Sequence, residues 1–272
     1  MLKLYKLSKN GVKIVCSQDT GISRIGWGVS YAAKFFNLKH INFYPRSRKL
    51  SFFQLMSKIL GGILVPIHGS YAQVMYYQAK RWLKENNITN YYYLPIGLCM
   101  PESMIENARV IYQLDNDLLR GSLVICTSSG TISCGLIYGL AFKKRRPDIY
   151  CIQTSPTKYM RQKLFSKLRL TVHLYGEPPN SIPNITLIKS PYPYSKPLRK
   201  VEVPFPCDIY LDRKAWVWLI ENLDKLREPI VFWNIGGEWD RICGIKKELR
   251  GDGVTSLNKI HDYLKLGGLI NG

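Results

Sequence analysis

The stretch SLVICTSSGTISCGLIYGL, residues 122–140, decides the fold. Its first six residues are almost wholly apolar, which suits a strand covered on both faces at the centre of a parallel sheet. Thr127, Ser128, Ser129, Gly130 and Thr131 follow as a run of small residues, and a helical pattern starts from them. Strand, small-residue turn and helix in this order open a βαβ unit. Hydroxyl groups, a glycine that allows close backbone approach and the N–H groups of a helix start also make an anion cradle. The same small residues would serve tight strand–helix packing equally well, so the turn alone names no ligand. It is neither a Walker loop nor a G-x-G-x-x-G fingerprint.

The alternation extends outward in both directions. GVKIVC (11–16) is an apolar β-rich run leading into a polar, glycine-bearing stretch; VSYAAKFF has helical spacing, and HINFY (40–44) is a second strand. SFFQLMSKIL reads as helix, GGILVPIHG as strand, YAQVMYYQAKRWLKENN as a long helix and YYYLPIG as strand. PESMIENARVIYQL is helical, with Pro101 and Glu102 suited to its first turn. DIYCIQT (148–154) is the strand after the opening unit. A proline-rich stretch, 178–206, breaks the rhythm; helix LDRKAWVWLIENLDKL, strand PIVFWNIGG and a tail ending LKLGGLING come after it. This pattern predicts an α/β protein with a mainly parallel, doubly wound sheet.

Four segments, in order, carry a resemblance. VICTSSGTISCGLIYGL is similar to a T-G-S-G-G-T-x-A-G-L segment that holds a cofactor phosphate. VCSQDTGISRIGWGVSYAAKFFNLKHINF is similar to a strand, a Ser/Asn-rich substrate loop and an A-A-x-L-G helix. Cys207-Asp-Ile-Tyr210 with Lys214 is similar to D-P-V-Y-x-G-K, and IVFWNIGG (230–237) to F-x-H-T-G-G. These are the motifs of the pyridoxal-phosphate fold type II (tryptophan synthase beta-like) group, and the chain most resembles 1-aminocyclopropane-1-carboxylate deaminase and D-cysteine desulfhydrase. The resemblance implies two lobes, a smaller one at approximately 23–113 inserted into a larger one formed by approximately 1–22 and 114–272. It places the residue 127–131 turn in the cleft between them. It further implies pyridoxal phosphate as cofactor, held by Thr127, Ser128, Ser129, Gly130, Thr131 and Asn234, with Ser17, Asp19, Ser23 and Tyr210 as catalytic candidates. The same polar loop, with Gln18 and Thr20, would otherwise simply cap the following helix.

The chemical end of the family pattern is less well kept than the phosphate end. The family lysine that bonds to the cofactor aldehyde must be desolvated and positioned. It sits in G-N-K-x-R-K, well before the strand matched here by residues 12–16. Lys3, Lys6, Lys9 and Lys13 are present, but none lies in such a motif. Leu211 stands where the family commonly has Glu or Thr after the tyrosine, and Asn234 stands where it has His.

Charge is the other strong signal. Thirty-nine Lys and Arg against nineteen Asp and Glu give +20, and residues 20–84 hold ten basic residues and no acid. Residues 118–176 hold ten more against Asp148 alone. Segregation of this kind creates a positive field attractive to polyanions. Lys143, Lys144, Arg145, Arg146, Lys158, Arg161, Lys163, Lys167 and Arg169 are the candidate nucleic-acid contacts; the first four would also suit a helix C-terminus. The seven cysteines form no C-x-x-C pair and read as free thiols of a reducing compartment. His40, His68, His173 and His261 show no ligand spacing, so no metal is expected. No apolar run reaches membrane length and the N-terminus has no signal h-region, so a cytoplasmic protein is expected.

Expected partners are nucleic acid or another polyanion, with a homodimer left open and no membrane. Three functions remain open. The first is a divergent enzyme on an amino-acid-like group attached to nucleic acid, as in bacteriophage base hypermodification. The second is an inactive family member that binds nucleic acid. The third is a small amino-acid deaminase or lyase.

Overall fold

The computed structural model describes residues 1–236 except Arg48 and Ser70. Gly237, Cys243, His261 and the LKLGGLING tail lie outside the described residues. The elements are α1 (Leu2–Lys9), β1 (Ile14–Gln18), α2 (Ile25–Lys34), β2 (Lys39–Pro45), α3 (Phe52–Ile59), β3 (Ile63–Ile67), α4 (Ala72–Glu85) and β4 (Tyr91–Tyr93). They continue with α5 (Pro101–Gln113), β5 (Ser122–Thr127), α6 (Thr131–Leu140), β6 (Asp148–Gln153), α7 (Met160–Tyr175), β7 (Ile185–Lys189), α8 (Asp212–Glu221) and β8 (Ile230–Trp233).

The strands form two four-stranded sheets, β3-β2-β1-β4 and β7-β6-β5-β8, parallel at every pairing. The expected α/β class with parallel sheets is therefore observed. Both sheets follow one plan: a central first strand, two strands added on one side, and the last strand crossing to the other side. Such a crossing creates a switch point at the carboxyl ends of the strands, where open α/β sheets place their ligands.

The boundary between the two compact units differs from the expected lobes. It falls between Leu98 and Cys99. β1 pairs with β2 on one side and β4 on the other, so residues 1–22 belong with the first sheet. α5 packs on α6, so residues 101–113 belong with the second.

In the second unit β5 is buried along its whole length. Leu123 and Ile125 face a core with α5, α6 and α7, while Val124 and Cys126 face Ala215 and Leu219 of α8. This two-sided burial is why the sequence reads as an unbroken apolar run. β7 lies inside the proline-rich stretch. Its residues Ile185-Thr-Leu-Ile-Lys189 form an edge strand on β6, and the flanking Pro183 and Pro191 fall outside the ladder. α7 buries Met160, Leu164, Leu168 and Thr171 along one stripe, leaving its basic residues on the other faces.

In the first unit Cys16, Ile41, Phe43, Val65 and Ile67 pack under Met75, Ala79 and Leu83 of α4. The opposite face of β1 and β2 carries Ser17, His40 and Asn42, covered by α2 and α3. Among the described residues no helix is long and apolar enough to cross a membrane, and no group of three or more His, Cys, Asp or Glu could hold a metal ion. The six described cysteines are free thiols, all buried except the half-buried Cys99.

Candidate active site

At the carboxyl end of β5 the chain passes through Ser128 and Ser129 to Gly130, whose φ of 83° opens α6. Only glycine adopts this left-handed geometry without strain, and a Cβ there would also meet Leu164 Cδ2 at 2.8 Å. Gly130 gives α6 no side-chain cap. Helix geometry leaves the first-turn N–H groups without acceptors inside the helix, and the dipole adds positive potential there. Thr127 turns inward, its hydroxyl 2.7 Å from that of Ser133, while the Ser129 and Thr131 hydroxyls lie 3.2 Å apart. Lys167 of α7 donates its ammonium to the Ser129 carbonyl.

Two contacts at this turn, and the pairing of Lys214 behind the second, were not foreseen from sequence. Cys99 Sγ lies 3.0 Å from the Thr131 hydroxyl. Tyr194 makes a side-chain hydrogen bond with Ser128, and burial pushes its phenol up from the ordinary 10.0. Lys214 is 1% exposed, and its ammonium donates to the carbonyls of Pro193 at 2.7 Å and Tyr194 at 2.9 Å. Burial draws the Lys214 amine below its usual range, opposed by nearby Cys126 and Asp208. Cys99 sits in an ordinary apolar context and Tyr194 in the proline-rich stretch, so no pattern marks either. For Lys167 the sequence signal was charge alone, read there as a nucleic-acid contact.

At the carboxyl end of β1 lies Asp19, 4% exposed. Asn42 Nδ2 donates to its Oδ2 at 2.8 Å, and the Gln54 side chain and Gly26 N–H also bond the carboxyl. Burial outweighs these bonds and raises the carboxyl from 3.8 to about 7. Oδ1 is buried with no hydrogen-bond partner, as is the adjacent Thr20 hydroxyl. A Cβ on Gly26 would stand 2.1 Å from both Asn42 Nδ2 and Asp19 Oδ2, so only glycine lets α2 approach this closely.

Ser17, 1% exposed, takes a different place from the one expected of a catalytic residue. Its hydroxyl donates to Asn42 Oδ1 at 3.1 Å and lies 2.8 Å from His40 Nε2. The other ring nitrogen of His40 is 2.7 Å from the Ser30 hydroxyl, and burial lowers this imidazole to about 3, so it is neutral. Ser17 therefore supports Asn42 from within the core rather than facing solvent. Ser23 accepts from Ile25 N–H at 3.2 Å and serves the start of α2. Tyr210 is half-buried in the second unit, its N–H bonded to Asp208 Oδ1 at 2.8 Å. Asn234 is exposed, with its amide donating to the Pro206 carbonyl at 2.6 Å.

The basic candidates separate as well. Lys143 is corrected: it is 9% exposed and its ammonium bonds the Leu114 carbonyl at 2.7 Å, so it holds α5 and is not a surface cation. Arg145 pairs with Asp117, and Arg146 donates to Ser181. Lys144, Lys158, Arg161, Lys163 and Arg169 are exposed.

No family model matches the sequence. A glycyl-dTMP PLP-dependent decarboxylase of Pseudomonas phage M6 is 30% identical over 232 residues, covering 80% of each chain. The chain belongs to the family of this decarboxylase, within the pyridoxal-phosphate fold type II group. Solved structures share the fold of that group. An ACC deaminase homologue superposes with a TM-score of 0.73 at 19% identity, covering 97% of this chain and 81% of its own. Cysteine synthase from Entamoeba histolytica superposes with a TM-score of 0.56 at 15% identity, covering 96% and 80%. A hydrogen sulfide-producing enzyme from Fusobacterium nucleatum gives 0.52 at 14%, covering 87% and 84%.

Against the fold type II pattern, the donor set of the β5–α6 turn fits a phosphate: a left-handed glycine, a helix N-terminus, two hydroxyls and an ammonium. The N-terminal lysines do not fit the covalent role. Lys6, Lys9 and Lys13 are exposed, and Lys3 lies over the Tyr92 ring at 4.8 Å, so none has the dry setting that activates an amine. The one buried lysine of the family-like segment, Lys214, spends its amine on two carbonyls.

Proposed function

We propose that the chain is a pyridoxal-phosphate-dependent decarboxylase or related lyase acting on an amino-acid-like group carried by a deoxynucleotide. The observation that carries this reading is the Gly130 turn opening α6, in a chain 30% identical to a phage enzyme of that activity. When bound, pyridoxal phosphate supplies an electron sink for charge developing at the substrate α-carbon. Residues 128–131 and Lys167 bind its phosphate through backbone N–H groups, hydroxyls and an ammonium. Lys214 holds Tyr194 so that its hydroxyl stays on Ser128, fixing the turn. Asp19, poised near neutral pH, can hold or release a proton at Oδ1. Exposed Lys144, Lys158, Arg161, Lys163 and Arg169 meet nucleic-acid phosphates.

The test is to add pyridoxal phosphate and then glycyl-dTMP to purified protein. A visible absorbance change followed by carbon dioxide release is expected. If neither occurs at millimolar cofactor, the reading is wrong, and a protein that still shifts DNA is then an inactive binding member of the family.

A further inference from the structure

The first unit holds a cavity of ≈ 340 Å³ at the carboxyl end of its sheet, lined by Gly21, Arg46, Ser47, Lys49, Ser51 and Gln54 among others. Its volume is that of a small-ligand site. Its lining sets Arg46, Lys49 and two serine hydroxyls beside the apolar Pro45 and Leu50, with no acid, since residues 20–84 contain neither Asp nor Glu. The cavity is built by the end of a strand and the start of a helix. The Arg46 N–H bonds the Ile67 carbonyl at 2.8 Å, anchoring the loop to β3 as it leaves β2. The Ser47 hydroxyl then donates to the Lys49 carbonyl at 2.6 Å, turning the chain back. Ser51 and Gln54 close a capping box at the start of α3, so the positive end of that helix borders the cavity. Gln54 has a second contact. Its oxygen accepts from Ser51 N–H at 2.8 Å, while its side chain also bonds the Asp19 carboxyl. The cavity and Asp19 therefore share a wall.

A guanidinium and an ammonium beside a helix N-terminus match an oxyanion, and the fork of an arginine matches two phosphate oxygens. The cofactor phosphate already has its own donor set at Gly130. We propose that the Arg46–Lys49 cavity binds the phosphate of the nucleotide that carries the substrate, with Arg46 and Lys49 as its cationic partners. This rests on the proposed function, for which it supplies the nucleotide-recognising site. It also gives the acid-free stretch 20–84 a use beyond general attraction to polyanions.

The test is calorimetric titration of the full chain, saturated with pyridoxal phosphate, using thymidine, dTMP and a short oligothymidylate. Wild type should bind dTMP more tightly than thymidine. Arg46→Ala with Lys49→Ala should weaken dTMP about tenfold or more, because charge-assisted phosphate contacts are lost, and should leave thymidine unchanged. Arg46→Lys should retain part of the affinity. Both side chains are exposed, so thermal melting should not move. A parallel loss for the oligonucleotide supports a backbone phosphodiester as the natural ligand; loss for dTMP alone supports a free monoester. Equal dTMP affinity in wild type and the double variant, or no preference for dTMP over thymidine, overturns the proposal. The cofactor absorbance change tests the proposed function separately: its absence in wild type would sink that reading, while the same dTMP titration of the cofactor-free chain would still judge the cavity.

Discussion

Replacing Asp19 by Asn should change how the stability of the fold depends on pH. Burial raises this carboxyl from 3.8 to about 7, and each pKa unit corresponds to about 1.4 kcal/mol. The charged form is therefore about 4 kcal/mol costlier in the fold than in the unfolded chain. A carboxyl with a raised pKa contributes its stability in the protonated form. That contribution is complete below about 3.8 and is lost progressively as pH rises to about 7, after which it is constant. Asn cannot ionise and keeps a carbonyl oxygen for Asn42 Nδ2, so it escapes the loss. Asp19→Asn should match wild type near pH 4 and exceed it at pH 8 by up to about 4 kcal/mol. Urea unfolding of both proteins across this range reads the difference directly, and subtraction cancels every other titrating group. A difference that stays flat between pH 4 and 8, or one in which wild type gains on the variant as pH rises, would refute the argument. The variant should also lose catalysis if Oδ1 exchanges a proton with substrate, a gain in stability at the expense of function.

Gly130→Ala should cost about 1–2 kcal/mol from left-handed strain alone, with more from the 2.8 Å approach to Leu164 Cδ2; denaturant midpoints check it, and cofactor affinity read by absorbance should fall in step. Replacing Arg161, Lys163 and Arg169 by Ala should reduce the salt slope of DNA binding, about −0.9 per phosphate contact, by one to three contacts in a gel-shift series. Lys167 is left intact there because it belongs to the Gly130 turn. Absence of any shift at low salt and micromolar protein would remove nucleic acid as a partner.

The second sheet was the more legible half in the sequence. β5 is apolar at nearly every position because both its faces are covered, and the turn after it needs small residues because Leu164 and Lys167 crowd Gly130. β7 was hidden because prolines surround it and an edge strand needs few residues. α7 was read as a charge cluster because its buried stripe is thin: four residues in a sixteen-residue helix. The unit boundary was misplaced because strand pairing is non-local. Nothing in residues 11–16 states that β1 takes β4 as a neighbour and leaves the second sheet alone. Lys143 looked like a surface cation because its partner is a backbone carbonyl 29 residues away, a partner that composition never shows.

The polar face of the first sheet was the least legible feature, and its pattern of satisfaction is informative. Ser17, His40 and Asn42 occupy positions where a sheet covered on both sides would ordinarily bury Val or Ile. The row runs from the Ser57 and Ser30 hydroxyls, 2.8 Å apart, through His40, Ser17 and Asn42 to Asp19. A purely structural network should be satisfied throughout, because each buried unpaired group costs stability. Here the interior members are bonded, and the unpartnered atoms, Asp19 Oδ1 and Thr20 Oγ1, are at the carboxyl end of β1. That end is where parallel sheets bind ligands. Evolution could have removed the cost by placing Asn at position 19, the substitution argued above to stabilise the fold. On the proposed function, a carboxyl kept there against that gain serves through its proton rather than through its packing.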